Sequence, residues 1–177
     1  MSGAGTPVVR PILPDEHERA AAVVLAAYAG LGVDLGPYRA SLADVAGRAS
    51  AAEVLVAVAD ARVVGTVTFV DGSDNAYAEF DDDDAAGIRM LAVDPAAQRR
   101  GVGWALVEAC IVRARAAGRR VIVLHTAAGM DVARRLYERH GFRRTPQRDW
   151  WPQPHVFLRG YELVVGAAAD AGRTLGP

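Results

Sequence analysis

The stretch DPAAQRRGVGWALVEAC, residues Asp94 to Cys110, constrains this chain more than any other. An apolar helix over Gly101 to Ala117 begins there with no capping side chain at its start. A helix N-terminus carries unpaired N–H groups and a partial positive charge. Normally a Ser, Thr, Asp or Asn side chain satisfies one of those donors. Here Gln98, Arg99, Arg100, Gly101, Val102 and Gly103 present bare amides, and two arginines add charge. An anion, most naturally a phosphate, matches such a place, and glycines let it approach the backbone. The spacing lacks the Gly-Lys-Ser/Thr of a Walker loop and the third glycine of the dinucleotide fingerprint. Taken alone, Gly-x-Gly fits equally well a tight turn leading into a buried helix.

The chain has 177 residues, 51% of them hydrophobic, which suits one domain with a packed core. The domain is expected over 7–166, with flexible tails over 1–6 and 167–177. A formal net charge of -1 argues against a general binder of nucleic acids or membrane surfaces, which needs a basic excess. All 20 basic residues are arginine, so no lysine is available as a nucleophile. The single cysteine, Cys110, rules out a disulfide within the chain and a cysteine-based zinc site. It reads as a small buried residue in a reducing compartment. The four histidines share no ligand spacing, and no metal site is read. MSGAGTPVVRP lacks the pattern of a signal peptide, and the apolar run Ala20 to Val33 is too short to span a bilayer. A cytoplasmic protein is the expectation.

Along the chain, Val8, Val9 and Ile12 open a strand, and Pro14, Asp15 and Glu16 start a helix with Ala22, Leu25, Ala26 and Ala29 on its apolar face. A second short helix is predicted from Pro37 to Arg48. Alternating valines over Val54 to Val58 and Val64 to Phe69 predict a hairpin turning at Asp60 to Arg62. An acidic loop, Asp71 to Gly87, leads to a strand over Ile88 to Val93. Then follow the helix over Gly101 to Ala117, a strand over Val121 to His125, a helix over Met130 to His140 ended by Gly141, and strands over Phe142 to Arg144 and Val156 to Val165. This order gives an α/β sandwich.

The segment IRMLAVDPAAQRRGVGWALV resembles the central motif of the GCN5-related N-acetyltransferases (GNAT), and ARRLYERHGF, Ala133 to Phe142, matches a second motif of that family at the right distance. The resemblance runs from about Val8 to Val165 and is strongest from Ile88 to Phe142. It implies the GNAT fold, with a mixed central sheet of about six to seven strands and about four flanking helices. It implies acetyl-CoA as cosubstrate, its pyrophosphate held by Gln98, Arg99, Arg100, Gly101, Val102 and Gly103. Backbone groups of Leu91, Ala92 and Val93 would meet the pantetheine arm and the acetyl carbonyl. Tyr137 matches the tyrosine that protonates the departing thiolate, a sensible task for a phenol of pKa near 10. Tyr137 is equally a tyrosine that could pack for structure beside Ala133 and Leu136.

Two positions depart from the family. Many relatives carry a glutamate as base two residues before the position of Arg89, where this chain has Gly87. Many carry an asparagine where it has Met130, and Thr126 is the available substitute. The nearest acids to Gly87 are Glu79 and Asp81 to Asp84, which could draw in a cationic amine or simply face solvent. His125 is a candidate base or a satisfied structural histidine. Adjacent strand residues face opposite sides. One of Trp150 and Trp151 is therefore expected in the core and the other beside the acceptor, where Tyr38 and Arg39 are further candidates.

The leading reading is transfer of an acetyl group from acetyl-CoA to a primary amine, of a small molecule or a peptide. The alternatives are a catalytically impaired acyl-CoA-binding sensor or partner module, and an acyltransferase for longer chains. A homodimer pairing through Tyr161 to Val165 is a further expectation.

Overall fold

A computed structural model of the chain describes residues 6–32 and 34–166. Apart from Thr6, the tails predicted from the sequence lie outside the described residues. Eight strands form the sheet: β1 (Val8–Pro11), β2 (Glu53–Ala59), β3 (Arg62–Asp71), β4 (Ala85–Val93), β5 (Val121–Thr126), β6 (Arg143–Arg144), β7 (Trp150–Gln153) and β8 (Val156–Val164). Their order is β1-β2-β3-β4-β5-β8-β6, with β7 also pairing β8. Only β4 and β5 run parallel. Five α-helices flank the sheet: α1 (His17–Ala29), α2 (Tyr38–Ala43), α3 (Val45–Ala51), α4 (Val102–Ala116) and α5 (Asp131–Arg139).

The structure thus has one strand more than the six to seven expected, and one helix more than the expected four. The additional strand is β7, whose sequence WWPQ hides it because proline argues against a paired strand. The additional helix arises at Asp44. Its backbone ends α2, and its carboxylate accepts the Gly47 N–H at 2.8 Å to start α3, so the single helix predicted over 37–48 divides there. The buried Arg48 then donates to the carbonyls of Ser41 and Leu42, tying the two short helices together.

Strand alternation assigns the two layers. Leu55, Ala57, Val67, Phe69, Ala86, Ile88, Ile122 and Leu124 pack with α4 residues Leu106, Val107, Cys110 and Ile111 in the larger core. Val54, Val56 and Val63 turn the other way, toward Ala20 and Val45. Strand β4 changes sides partway along. Ile88 faces the α4 layer, yet Met90 and Ala92 pack with Val23, Val24 and Leu42 on the α1 layer. A β-bulge causes this: Thr68 pairs with Arg89 and Thr66 with Ala92, which leaves one residue too many on β4. Met90 absorbs the distortion with φ at 51°, a conformation that costs a non-glycine residue about 1–2 kcal/mol.

Strand β8 lies between β5 on one side and β6 and β7 on the other. Of the segment expected to join two copies, Tyr161 and Glu162 pair within the chain with Arg144 and Arg143. Among the described residues, no helix is long and apolar enough to cross a membrane.

Candidate active site

The site begins where β4 and β5 part. The two strands pair only over Ala85, Ala86 and Gly87, opposite Val121, Ile122 and Val123. Beyond Gly87 they diverge into a fork. Met90 and Leu91 sit at the bulge and have no register partner in β3 or β5. Of the residues assigned from the sequence to the pantetheine arm, Leu91 is at this bulge, whereas Ala92 and Val93 pair with Thr66 and Gly65 of β3. Their side chains do different work: Ala92 is buried on the α1 layer, while Leu91 and Val93 pack against the α4 layer.

From the end of β4 the chain enters the phosphate-type loop. The Asp94 carboxylate accepts the Ala96 N–H at 3.0 Å and a hydrogen bond from Arg19, whose other nitrogen donates to the Val63 carbonyl. These contacts hold the Asp94 carboxyl below the usual range, the backbone N–H contributing most. They anchor the short 3-10 turn over Pro95–Ala97 and therefore the loop's starting point. Gln98, Arg99, Arg100 and Gly101 are exposed, with φ at 59° for Arg99 and 78° for Gly101. Among the described residues, no protein group accepts the backbone N–H of any residue from Gln98 to Trp104. Arg100 stands 3.8 Å from Asp60, a loose exposed pair that leaves its charge available.

The two glycines have different jobs. A Cβ on Gly101 would meet nothing within 4 Å, so its requirement is the left-handed backbone. A Cβ on Gly103 would stand 3.0 Å from Leu136 Cδ2, so Gly103 serves the contact between α4 and α5. Val102 buries its side chain against Gly65 and offers only its backbone outward.

Tyr137, on α5, is 5% exposed and meets Phe142 edge to face with ring centroids 5.7 Å apart. Burial raises the pKa of its phenol well above the ordinary value, with Cys110 adding slightly. Tyr28, from the α1 layer, is near enough that charge on Tyr137 opposes its own ionisation. The two tyrosines approach from opposite layers. Met130 sits at the start of α5, and its sulfur accepts the Ala127 N–H at 3.3 Å. Thr126 is buried on β5 opposite Arg159.

On the acceptor side the structure gathers residues that spacing alone keeps apart. Glu79 places one carboxylate oxygen 2.8 Å from Arg89 of β4 and the other 3.3 Å from Nδ1 of His125 of β5. Arg89 also donates to the Tyr77 carbonyl, and Tyr38 lies beside Arg89 and Glu79, its phenol raised by burial. A Cβ on Gly87 would lie 2.7 Å from the Phe80 ring, so Phe80 occupies the space that a side chain there would need. The one available hint in the sequence was glycine at a position where relatives carry an acid. Nothing in the spacing of residues 79, 89 and 125 links them.

Two of the four remaining acids of the run are ion-paired. Asp82 pairs with Arg148 and Asp84 with Arg120, each at 3.2 Å, while Asp83 accepts from the Ser73 hydroxyl. Both tryptophans are exposed, Trp150 by 38% and Trp151 by 59%, so neither is core. Trp150 meets His125 edge to face, whereas Trp151 leans on Phe157. They share β7, which is exposed at all four residues. Arg39 is exposed.

The model of the acetyltransferase (GNAT) family matches residues 23–142, and the chain belongs to that family. Solved structures share its fold. A GNAT-family acetyltransferase from Staphylococcus aureus Mu50 superposes with a TM-score of 0.71 at 15% identity, covering 90% of this chain and 99% of that one. The Salmonella typhimurium protein yncA, solved with its cofactor acetyl-CoA, gives 0.66 at 22% identity, covering 96% and 99%. A ribosomal-protein-alanine N-acetyltransferase from Brucella melitensis gives 0.63 at 18%, covering 89% and 99%. No curated protein matches the chain by sequence.

Proposed function

We propose that this protein transfers an acetyl group from acetyl-CoA to a primary amine carried by a small molecule or a peptide. The observation that carries this reading is the adjacency of two features. A fork in the sheet opens beyond Gly87, and the α4 start beside it presents backbone N–H groups with no acceptor in the chain. Those groups, with Arg99 and Arg100, fit a pyrophosphate. The bulged backbone at Met90 and Leu91, which has no register partner in β3 or β5, fits an extended, amide-bearing arm and a carbonyl oxygen. When bound, acetyl-CoA supplies the reactive thioester.

The residues of the chain supply position and protons. The loop and fork hold one reactant in a fixed orientation and remove the entropy of a bimolecular encounter. Tyr137 keeps its phenol proton through neutral pH because burial disfavours the phenolate, so its Oη remains a donor for a departing sulfur. The bare Cα of Gly87 favours a second reading, a binding module with impaired catalysis. One experiment tests both: calorimetry with acetyl-CoA, followed by thiol release with a panel of small amines, amino acids and free-N-terminal peptides. Binding with amine-dependent thiol release is the expected result. Binding without release to any amine supports the module, and absence of binding overturns both.

A further inference from the structure

We infer that Glu79, relayed by His125, is the group that takes the proton from the acceptor amine. This inference rests on the acetyl-transfer reading. Gly87 and Val123 are the last paired residues of the fork. Arg89 and His125 each lie two positions further on, so both side chains point to the same face as those two residues. Glu79 spans them, one carboxylate oxygen toward each strand. The carboxylate therefore sits across the vertex where the strands separate. It arrives from the β3–β4 loop because Phe80, the next residue, lies on the bare Cα of Gly87. A side chain at position 87 and the Phe80 ring cannot share that space. The same loop packing thus excludes an acid on the strand and delivers one over it.

His125 gives the carboxylate a chemical partner. Its Nε2 lies 2.8 Å from the Arg148 carbonyl, which can only accept, so Nε2 carries the ring proton. Nδ1, 3.3 Å from Glu79, is then the ring position through which a proton passes to or from the carboxylate. Between Nδ1 and the carboxylate lies room for one more proton. The His125 side chain is 4% exposed and that of Glu79 14%, so the pair is sheltered, with the carboxylate the more accessible of the two. The step is a single proton transfer. An ammonium N–H bond breaks, the nitrogen keeps the electron pair, and an O–H bond forms on Glu79. The proton then moves to Nδ1 or leaves to solvent. Arg89 steadies the other oxygen and is a positioning residue. Tyr38 from α2, Arg148 and Asp149 before β7, and Asp82 on Arg148 are the other titratable or charged groups facing the pair.

The test compares full-length wild type, Glu79→Gln, Glu79→Asp and Asp81→Asn with acetyl-CoA and the same amine panel across pH. Glu79→Gln should bind acetyl-CoA normally and lose about 100-fold or more in kcat/KM at neutral pH. Its rate should recover about tenfold per pH unit as the free amine accumulates, and Glu79→Asp should restore part of the loss. A merely structural glutamate would lower the rate equally at every pH. Exposed Asp81→Asn should match wild type. NMR of the ring nitrogens should find the neutral His125 proton on Nε2, independently of any turnover, and finding it on Nδ1 would overturn the relay. Transfer by wild type that Glu79→Gln leaves unchanged overturns this inference alone. Transfer by wild type to no amine overturns the proposed function and this inference with it.

Discussion

The two halves of the candidate site, one proposed for the cofactor and the other for the acceptor, are built from different materials. The proposed cofactor half is made of backbone: a bulge at Met90 and Leu91 and a left-handed Gly101 opening α4. It occupies one continuous segment, Ile88 to Gly103. The acceptor half is made of side chains from the β3–β4 loop, two strands and the β7–β8 hairpin, held by ion pairs that cross the chain. A backbone site binds what is common to all substrates of a fold. A side-chain site can change without disturbing the sheet. The comparison teaches that substitutions should separate by half: binding and stability should respond in the first, turnover and acceptor use in the second, with Tyr137 between them.

The largest single effect is expected at that junction. Tyr137→Phe should lower kcat about 100-fold while leaving acetyl-CoA affinity and thermal stability near wild type. Unchanged kcat in steady-state assays would leave Tyr137 as a core residue alone.

Next in size is the response to alkali. Burial raises Cys110 to about 12 and raises both Tyr28 and Tyr137. In the unfolded chain these groups lose protons first, so the folded state binds more protons at high pH and is destabilised there. The stabilisation is complete below about pH 8.5, the ordinary thiol pKa, and is lost as pH rises through the folded value. The slope is about 1.4 kcal/mol per pH unit for each group in its window. Urea unfolding at stepped pH should show it, and Cys110→Ala should flatten the part between about pH 8.5 and about pH 10, below which the unfolded tyrosines keep their protons.

The two glycines sharpen the comparison further. Gly101→Val forces a β-branched residue into a left-handed conformation, at about 1–3 kcal/mol. Its effect should appear as roughly tenfold or greater loss of acetyl-CoA affinity by calorimetry. Gly103→Ala presses on Leu136 and should instead lower the melting temperature by the equivalent of about 1 kcal/mol. Equal effects on affinity would collapse the distinction between them.

The smallest effect is expected from Asp82→Asn and Asp84→Asn. These are exposed or half-exposed pairs, worth about 0–1 kcal/mol each. A slight loss of stability with unchanged KM for cationic amines is expected. A raised KM at low salt that vanishes at high salt would show instead that the loop gathers substrate.

Much of the fold was legible in the chain because apolar periodicity and turn residues are local. The alternating valines of β2 and β3, the uncapped start of α4 and the Gly141 stop after α5 each announce themselves within a few residues. The loop before α4 was legible for the same reason, since its left-handed glycine and lack of a capping side chain lie in consecutive residues. Three features were not. Strand β7 carries a proline, the helix break at Asp44 reads as ordinary helix surface, and both tryptophans lie on β7, which is exposed along its whole length.

By itself, then, the sequence determined the family, most of the order of elements, and a glycine-bearing loop before α4 with no capping side chain. Only the tertiary structure decided where β4 turns over, which glycine frees the backbone and which frees a neighbour, and that Glu79 meets Arg89 and His125 across the fork. The physical reason is range. Periodicity and capping act over one or two turns of chain, whereas an ion pair joining residues 79, 89 and 125 exists only after three strands have found their register.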